Sequence, residues 1–397
     1  MGSLSGRISH LSESETLKMS KLSRELNAKG FDVINLSLGE PDFPTPTHIK
    51  EAAKKAIDEN YSYYTPVAGY QDLREAVCAK FKRENGLSYS PAEIIVSTGA
   101  KQSIYNAVLS IVNPGDDVIL PAPYWVSYAE IVRMAEGNPV PVKTAIGNDF
   151  KITPAQLEKA ITPRTRLIMF SSPCNPTGSV YSADELKDLA AVISMHPEIF
   201  VLSDEIYEHI NFTGSHNSIA SNDAIRGQVI IVNGVSKSFA MTGWRIGYLA
   251  GPVAVAAACE KIQGQVTSGA SSISQRAALA AISSGNAPAL EMRKSFLRRR
   301  DLVIRLLGEI PGMNLNIPQG AFYLFPEISS FFGKRNGNEK INNAGELCMY
   351  LLNHARVSLV AGDAFGAPEH IRFSYATSDE RLTEAAARMQ KALAELS

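Results

Sequence analysis

Residues that can do chemistry follow the ends of several short apolar runs in this chain. They are Lys101, Trp125, Asn175, Asp204 and Lys237. In open α/β sheets, ligands bind beyond the carboxyl ends of the strands. An amide, an acid, an aromatic ring and two lysines would therefore meet at one sheet edge, as in a binding or catalytic site. A lysine amine in such a site can act as a nucleophile or as a base.

The elements that would position these residues alternate along the chain up to about residue 285. Continuous Val, Ile and Leu runs predict strands that are covered on both faces, at EIIVSTG, DDVILPAP, TRLIMFSSP, IFVLSDE, QVIIVNG and WRIGYLAGP. Between several of them lie stretches with helical spacing, at KQSIYNAVLSIV, WVSYAEIVRMA and SADELKDLAAVISM. This alternation predicts right-handed βαβ crossovers and an α/β fold with a mostly parallel central sheet.

The character of the sequence changes after about residue 285. A long charged helix is predicted at ALEMRKSFLRRRDLVIRLLGEI, then strands at MNLNIP, GAFYLFPEI, VSLVAG and HIRFSYA, and a C-terminal helix. The polar stretch GKRNGNEKINNAG, near residues 333–345, indicates an exposed loop. We therefore expect a large domain over residues 46–290 and a smaller α+β domain over residues 291–397. Residues 1–45 would form an N-terminal arm and helix that packs with the small domain.

Composition excludes several classes of protein. With 39 Lys+Arg against 40 Asp+Glu in 397 residues, the chain has no general attraction for nucleic acid or anionic lipid. No apolar run approaches the roughly 20 residues that span a bilayer, and the N-terminus lacks the apolar core of a secretory signal. Four scattered cysteines without a CxxC favour a reducing cytoplasm over disulfides or a zinc site. We expect a cytoplasmic globular protein without a metal centre.

The segment GVSKSFAMTGWRIGY carries the most specific signal. A lysine in an isolated Ser-Lys pair is usually a solvated loop residue, but here Arg245 follows Lys237 by eight residues, between Gly243 and Gly247. The segment resembles the signature of class I, fold-type I aminotransferases, which use pyridoxal 5'-phosphate (PLP). The resemblance implies that Lys237 forms the covalent link to the PLP aldehyde and then moves the substrate's proton. Arg245 would hold the PLP phosphate through its planar fork, and Ser236 would also bind the cofactor.

Two further motifs match the same family. In FVLSDEIYEH, Asp204 alone could simply cap a helix, but the resemblance places it beneath the pyridine nitrogen of PLP, with Tyr207 at the phenolic oxygen. In SSPCNPTGSVY, the NPTG sequence alone would indicate only a turn. In the family it is a marker, and Asn175 would bind the same oxygen and approach the substrate carboxylate.

Three other segments complete the cofactor site that the resemblance implies. Trp125, in APYWVSY, would stack on the PLP ring, although a tryptophan after a strand is more often a core residue. Gly99 and Ala100, in STGAKQ, would open a helix whose free N–H groups face the phosphate. Tyr64, in YSYYTPVAGY, would reach the phosphate bound to a neighbouring subunit, which implies a homodimer with two shared active sites.

The resemblance also assigns substrate-binding residues. Arg372, in HIRFSYATS, would bind the substrate α-carboxylate, with the backbone of Gly39 closing over it and with Asn175 and Trp125 beside it. Lys101, in GAKQ, resembles the lysine that pairs with the distal carboxylate in the gamma subgroup of aspartate aminotransferases. The alternative is that Lys101 supports only the phosphate of the cofactor.

A narrower resemblance concerns the branch of the family that transaminates both aspartate and prephenate. The segments PDFPTP, GAKQ, PYWVSY and NGVSKSFAMTGWRIGY match it, and Thr45 and Lys101 would favour prephenate there. The chain departs near Ser12, where some members carry a basic residue. The implied reaction is a ping-pong transfer from L-aspartate to 2-oxoglutarate, giving oxaloacetate and L-glutamate, with prephenate as an additional acceptor that yields L-arogenate. The partners would be small amino acids and 2-oxo acids.

Other functions remain open at this point. An aromatic or alanine aminotransferase or a β-eliminating lyase would use Lys237, Asp204 and Arg372 in the same way, and Lys101 argues against them. A ligand-sensing module on this fold usually carries a DNA-binding domain, but the sequence has no spare helix-turn-helix or basic region. A nicotinamide dehydrogenase would need a GxGxxG between strand and helix, which we do not find.

Overall fold

The structure is a computed structural model that describes residues 4–9 and 11–397. The first three residues and residue 10 of the predicted arm lie outside the described residues. The α-helices are α1 (Gly6–Ser9), α2 (Glu15–Ala28), α3 (Thr47–Asp58), α4 (Gln71–Lys80), α5 (Ala100–Ile111), α6 (Ser127–Met134), α7 (Pro154–Ala160), α8 (Ala183–Ile193), α9 (Val253–Val266), α10 (Ser272–Ser283), α11 (Ala287–Gly308), α12 (Ala344–Tyr350) and α13 (Asp379–Ala394). The strands are β1 (Ile34–Asn35), β2 (Ile94–Ser97), β3 (Asp117–Ala122), β4 (Asn138–Lys143), β5 (Thr165–Ser171), β6 (Phe200–Asp204), β7 (Val229–Gly234), β8 (Gly247–Ala250), β9 (Tyr323–Leu324), β10 (Arg335–Asn336), β11 (Glu339–Lys340), β12 (Val357–Ser358), β13 (Val360–Ala361) and β14 (Ile371–Ser374).

A seven-stranded sheet forms the centre of the larger part of the molecule. Its strand order is β2-β8-β7-β6-β5-β3-β4. Strand β8 runs antiparallel to both of its neighbours, and the other pairs are parallel. The predicted α/β class with a mostly parallel sheet is therefore confirmed.

The buried runs alternate between two hydrophobic layers, one on each face of this sheet. In β2, Ile94 and Val96 belong to the layer that contains α3, α4 and α10, whereas Ile95 belongs to the layer that contains α5, α6 and α9. In β7, Ile231 and Ile230 divide in the same way. Because both faces are covered, both sets of alternate residues are apolar, and the strands appear in the sequence as continuous apolar runs.

The C-terminal part has a smaller sheet and its own hydrophobic cluster. Strands β13, β14 and β9 form an antiparallel sheet, and β14 carries Arg372. Helices α11, α12 and α13 pack into the same cluster, and so does α2 through Met19. Strand β1 pairs in parallel with β12. This packing supports the predicted association of the N-terminal arm with the small domain, while the domain boundaries themselves stay predictions.

Two local predictions for the C-terminal part were wrong. The segment MNLNIP forms no regular strand, because only Asn314 pairs there, in an isolated bridge with Glu327. The polar stretch at 333–345 contains a hairpin of β10 and β11 in place of a simple loop. Gly337, with φ +57°, opens its two-residue turn, and such a glycine is typical of tight hairpins. Within the described residues, no helix is both long and apolar enough to cross a membrane.

Candidate active site

A cavity of about 460 Å³ lies at the carboxyl ends of the central strands, next to the small antiparallel sheet. Eleven of the residues predicted from the sequence line it: Gly39, Ala100, Lys101, Trp125, Asn175, Asp204, Tyr207, Ser236, Lys237, Arg245 and Arg372. They come from segments spread over more than 300 residues of the chain, so the fold brings the predicted chemistry to one place.

Three predicted site residues do not line this cavity. Gly99 lies directly behind it, where a Cβ would overlap the Arg245 guanidinium, so only glycine leaves room for that arginine. Thr45 donates its hydroxyl to the Ala240 carbonyl at 2.7 Å and accepts a hydrogen bond from Trp244 at 3.2 Å. Tyr64 is 97% exposed and does not reach the site of its own chain.

Lys237 lies in the turn that follows β7, with its amine inside the cavity. Its Nζ donates a hydrogen bond to the Gly39 carbonyl at 2.6 Å. Burial, with help from the nearby Arg245 and Arg372, lowers the pKa of Lys237 to about 8, although Glu40 and Asp204 oppose this shift. A substantial fraction of the amine is therefore neutral near pH 7 to 8, as a nucleophile or general base requires.

Asp204 ends β6 and is 6% exposed. One carboxylate oxygen accepts from Tyr128 Oη at 2.8 Å and the other from the Ile206 N–H at 3.2 Å. Burial raises the pKa of Asp204 to about 6, against the lowering effect of these bonds. Among the described residues, no cationic side chain pairs with this carboxylate, so the site can accept the positive charge of a bound ligand, such as a protonated pyridine nitrogen.

Arg372 is fully buried and held by several oxygen atoms. Its guanidinium donates to Asn175 Oδ1 at 2.9 Å and to the Ser37 carbonyl at 2.5 Å. It also lies over the ring of Tyr323, 4.7 Å from the centroid. Within the described residues its Nε has no hydrogen-bond partner. A buried cation with an unused donor is suited to bind a carboxylate.

Two tyrosines join the strand-end residues to the small sheet. Tyr207 Oη and Tyr323 Oη are 2.7 Å apart, and both side chains are buried. Burial is the main reason why the pKa of each phenol is raised. Both hydroxyls therefore remain protonated at neutral pH and can donate hydrogen bonds within the cavity.

The first turn of α5 and Arg245 form an anion-binding corner. Ala100 begins this 12-residue helix, whose first N–H groups have no partner within the helix. Gly247 packs so closely on the Ala100 backbone that a Cβ would overlap it. Arg245 donates to the Thr242 carbonyl at 2.7 Å and lines the same corner. A helix N-terminus beside an arginine fits a phosphate group.

Lys101 and Trp125 form the wall next to this corner. Lys101 Nζ lies 4.9 Å from the centroid of the Trp125 ring, a cation–π contact. Burial, with a smaller contribution from Arg245, lowers the pKa of Lys101. Four cationic side chains and only two acidic ones line the whole cavity, counted over the described residues. The cavity therefore favours ligands that carry several negative charges.

Among the lining residues that sequence reasoning missed, three contact the predicted ones directly. Tyr128 binds Asp204, Tyr323 binds Tyr207, and Thr16 lies 3.4 Å from Arg372. Only Tyr128 had a local signal, because it lies three residues after Trp125, in the first turn of α6, and its ring contacts that of Trp125 at a centroid distance of 5.6 Å. The partners of Tyr323 and Thr16 are more than 100 residues away in the chain, so no local pattern indicates them.

The fold and the site define a PLP-dependent aminotransferase. The unpaired Asp204 carboxylate and the start of α5 beside Arg245 fit the ring nitrogen and the phosphate of the cofactor of this class, and the unused donor of Arg372 fits the carboxylate of an amino-acid substrate. Residues 32–389 match the family described as Aminotransferase class I and II, so the chain belongs to that family.

Its relatives narrow the comparison. The chain is 50% identical to the bifunctional aspartate aminotransferase and glutamate/aspartate-prephenate aminotransferase of Petunia hybrida, over 98% of this chain and 83% of that protein. It is 46% identical, over the full length of both chains, to the aspartate/prephenate aminotransferase of Cereibacter sphaeroides. The crystal structure of the aspartate aminotransferase from Rhizobium meliloti superposes with a TM-score of 0.96 at 42% identity, covering 100% of both chains.

Proposed function

We propose that this aminotransferase transfers the amino group of L-aspartate to 2-oxoglutarate and also accepts prephenate. The observation that carries the proposal is the presence of Lys101 and Arg372 in the same cavity, in addition to the arginine at the phosphate corner. A dicarboxylate offers one carboxylate to each of these two cations, whereas alanine offers only one. The names of the relatives from Petunia hybrida and Cereibacter sphaeroides support the same substrates.

Each residue of the site has a proposed task in this reaction. Bound PLP supplies a ring that withdraws electrons from the substrate Cα. Asp204 would keep a proton on the ring nitrogen, Tyr207 and Asn175 would donate to the phenolic oxygen, and Trp125 would cover the ring. Ser236, Arg245 and the N–H group of Ala100 would hold the phosphate. Gly99, whose N–H already donates to the Ser97 carbonyl at 2.8 Å, would contribute by leaving space for Arg245. Lys237, as a neutral amine, would take the proton from the substrate Cα and deliver it to C4′ of the cofactor.

The substrate is oriented by charge at its two ends. Arg372 would exchange its bonds to Asn175 and the Ser37 carbonyl for the α-carboxylate, which makes stronger charge-assisted bonds. Gly39 also lines the cavity, and its carbonyl accepts a hydrogen bond from Lys237. Lys101 would bind the distal carboxylate.

Replacement of Lys101 by serine tests the dicarboxylate assignment. Loss of a hydrogen bond to a charged group costs about 1.5–3 kcal/mol, so we expect kcat/KM for aspartate to fall about 10- to 150-fold. The value for alanine should stay close to that of the unmodified enzyme. Single-turnover spectra of the bound cofactor with each amino acid give both values. Equal losses for the two substrates would show that Lys101 supports only the phosphate.

A substrate panel separates the proposal from its rival. If alanine or an aromatic amino acid converts the bound cofactor and aspartate does not, the enzyme is another class I PLP enzyme. Release of ammonia and pyruvate without an amino acceptor would instead indicate a β-eliminating lyase.

The prephenate activity has its own test at Thr45. The hydroxyl of this residue is already bonded to Ala240 and Trp244, so Thr45 supports the segment after Lys237. Thr45→Val should lower prephenate turnover more than 2-oxoglutarate turnover if the residue favours prephenate. A uniform loss would limit Thr45 to the support of that segment.

We also propose a homodimer in which Tyr64 completes the phosphate site of the partner subunit. Tyr63 and Tyr64 are 83% and 97% exposed, which is unusual for adjacent large aromatic residues and suits an interface. Co-expression of Tyr64→Ala and Lys237→Ala chains tests it, because a mixed dimer would contain one complete site. Activity above that of either variant alone supports sharing, and its absence contradicts it.

The cellular location that we propose is the cytoplasm. All four cysteines are free in the structure, and Cys259 and Cys348 are buried. Such thiols are suited to a reducing compartment. Fractionation of cells that express the full chain tests this proposal.

A further inference from the structure

A second buried polar cluster lies behind the wall of the cavity, on the same short segment that carries Asp204 and Tyr207. Glu208 is 5% exposed and forms a short ion pair with Lys80 at the end of α4. The Glu208 carboxylate also accepts from Asn233 at 2.8 Å and from Asn85 at 3.0 Å. These contacts fix the segment after β6 to helix α4 and to the end of β7.

His209, the next residue, connects this cluster to the turn that carries Lys237. Its Nε2 is 2.8 Å from Glu84 Oε2, and its Nδ1 is 2.8 Å from Ser238 Oγ. Ser238 is 1% exposed and directly follows Lys237. His209 therefore joins the π-helical turn Phe81–Asn85 to the lysine turn through two side-chain contacts.

We propose that His209 is a positioning residue, which holds the turn at Ser238 so that the Lys237 amine stays aligned with the atoms that it must attack and deprotonate. This inference rests on the role proposed for Lys237. The reason is geometric, because a displacement of about 1 Å at a reacting group can reduce turnover about 100-fold. Among the described residues, the Lys237 amine makes one hydrogen bond, to the Gly39 carbonyl, and lies 5.9 Å from the centroid of the Tyr207 ring. Backbone bonds from Phe239 and Met241 shape the turn, and the contact of His209 with Ser238 ties that turn to the rest of the domain.

The charged groups around His209 and Lys237 form two separate sets. Glu84, Glu208 and Lys80 surround His209, with Arg83 bound to the outer oxygen of Glu84. The groups that act on Lys237 are Glu40, Arg245, Arg372 and Asp204. A change at His209 should therefore reach Lys237 through the position of Ser238 and not through direct charge interactions.

Two substitutions of His209 each remove one of its two side-chain contacts and keep the other. A glutamine amide reaches the position of Nε2, so His209→Gln keeps the contact with Glu84 and loses the one with Ser238. An asparagine amide lies near the position of Nδ1, so His209→Asn keeps Ser238 and loses Glu84. Ser238→Ala removes the same contact as His209→Gln from the other side. His216→Asn is the control, because His216 binds Glu205 at 2.9 Å in this region and does not contact the lysine turn.

The readout is the pH midpoint of the visible absorption of the bound cofactor, measured on the holoenzyme together with kcat and Tm. We expect His209→Gln and Ser238→Ala to shift this midpoint by about half a pH unit or more and to lower kcat about tenfold. The double variant should show the same shift as each single one. His209→Asn and His216→Asn should lower Tm but leave the midpoint within error of the unmodified enzyme.

The inference is overturned if the midpoints of His209→Gln and Ser238→Ala match that of the unmodified enzyme, or if His209→Asn and His216→Asn shift it equally. The second result would indicate a general loss of packing. Failure of the proposed role of Lys237 would look different, because Lys237→Ala would then keep the titrating absorption of the unmodified enzyme. The two failures can therefore be distinguished.

Discussion

Asp204 and Glu208 are two buried carboxylates on one short segment, and their surroundings have opposite effects. Their exposed fractions are nearly equal, at 6% and 5%. Burial raises the pKa of Asp204 to about 6, since its bonded donors within the described part of the chain are a tyrosine hydroxyl and a backbone N–H. The pKa of Glu208 lies well below its usual range, because Lys80 and the neighbouring histidines outweigh the effect of burial.

The difference between these two carboxylates distinguishes a charge with a structural role from a charge with a functional role. Glu208 has a complete set of partners within the chain, so its charge serves to join elements together. Asp204 lacks a cation, and a buried carboxylate without one is costly unless a ligand supplies it. A perturbed pKa that arises from such missing partners indicates a functional site, whereas one that arises from a full ion pair does not.

Removal of the cation from the complete pair should have the largest effect on stability. Lys80→Met leaves the Glu208 charge buried without its main partner, so we expect the free energy of unfolding to fall by about 3–5 kcal/mol. Urea denaturation of the purified variant measures it. The double variant Lys80→Met/Glu208→Leu should recover part of the loss, and a single-variant loss below about 1 kcal/mol would contradict the comparison.

Neutralisation of the incomplete carboxylate should affect activity instead. Asp204→Asn removes the charge that would face the protonated ring nitrogen, and we expect kcat to fall about 10²- to 10³-fold. The apoprotein should be no less stable than the unmodified apoprotein, because an unfavourable buried charge is lost. Steady-state kinetics and thermal unfolding give the two numbers. A variant that unfolds easily but retains its kcat would reverse our assignment of the two carboxylates.

The pH dependence of stability should have opposite signs at Asp204, whose pKa is raised, and at Glu208, whose pKa is lowered. Because the folded pKa of Asp204 is raised above its unfolded value of about 4, folded apoprotein binds this proton more tightly than unfolded chain does. The stability that the protonated Asp204 contributes is therefore lost as pH rises from about 4 to about 6, by up to roughly 3 kcal/mol. The unmodified apoprotein should lose stability relative to Asp204→Asn over this range in parallel denaturation series. A constant difference would contradict the raised pKa.

Removal of the Tyr128 hydroxyl, the neutral donor to Asp204, should have the smallest effect on the enzyme. Tyr128→Phe deletes the hydroxyl bond to Asp204, which contributes about 1.5 kcal/mol, the lower end of the range for bonds to a charged group. We expect PLP to dissociate several-fold more readily, while kcat at saturating PLP changes little. Equilibrium dialysis against PLP measures the change. Tyr181→Phe, which removes a buried hydroxyl that binds the Ile152 N–H away from the cavity, is the matched control and should leave PLP affinity unchanged.

Much of the fold and the location of the site could be predicted from local patterns. The continuous apolar runs predicted the central strands, because both faces of the sheet are covered. The family motifs placed Asp204, Asn175, Lys237 and Arg372 at segment ends that the fold brings to one cavity. Their individual roles stay predictions, since a cavity lining does not by itself demonstrate a function.

The rest of the fold and of the site could not be predicted, because it depends on contacts between segments that are distant in the sequence. Lys80 looks like an ordinary surface lysine of an amphipathic helix, yet it is buried because Glu208 lies opposite, 128 residues away. The bonds of the Thr45 hydroxyl to Ala240 and Trp244 join segments almost 200 residues apart, so no local pattern indicated them, and the substrate role of Thr45 stays a prediction. The polarity of residues 333–345 indicates only exposure, whereas the turn pair Gly337 and Asn338 is the local signal for the hairpin at residues 335–340.

The parallel pair of β1 and β12 has a consequence for how the chain is synthesised. Ile34 pairs with Val357, so about 320 residues must emerge from the ribosome between the two strands, which takes tens of seconds at roughly 5–20 residues per second. During that interval the apolar side of α2, with Met19 and Leu22, lacks β12 and β13, on which it packs in the folded protein. The nascent N-terminus is therefore a candidate client for chaperones, and a fragment that ends before residue 357 should express better without its first 45 residues.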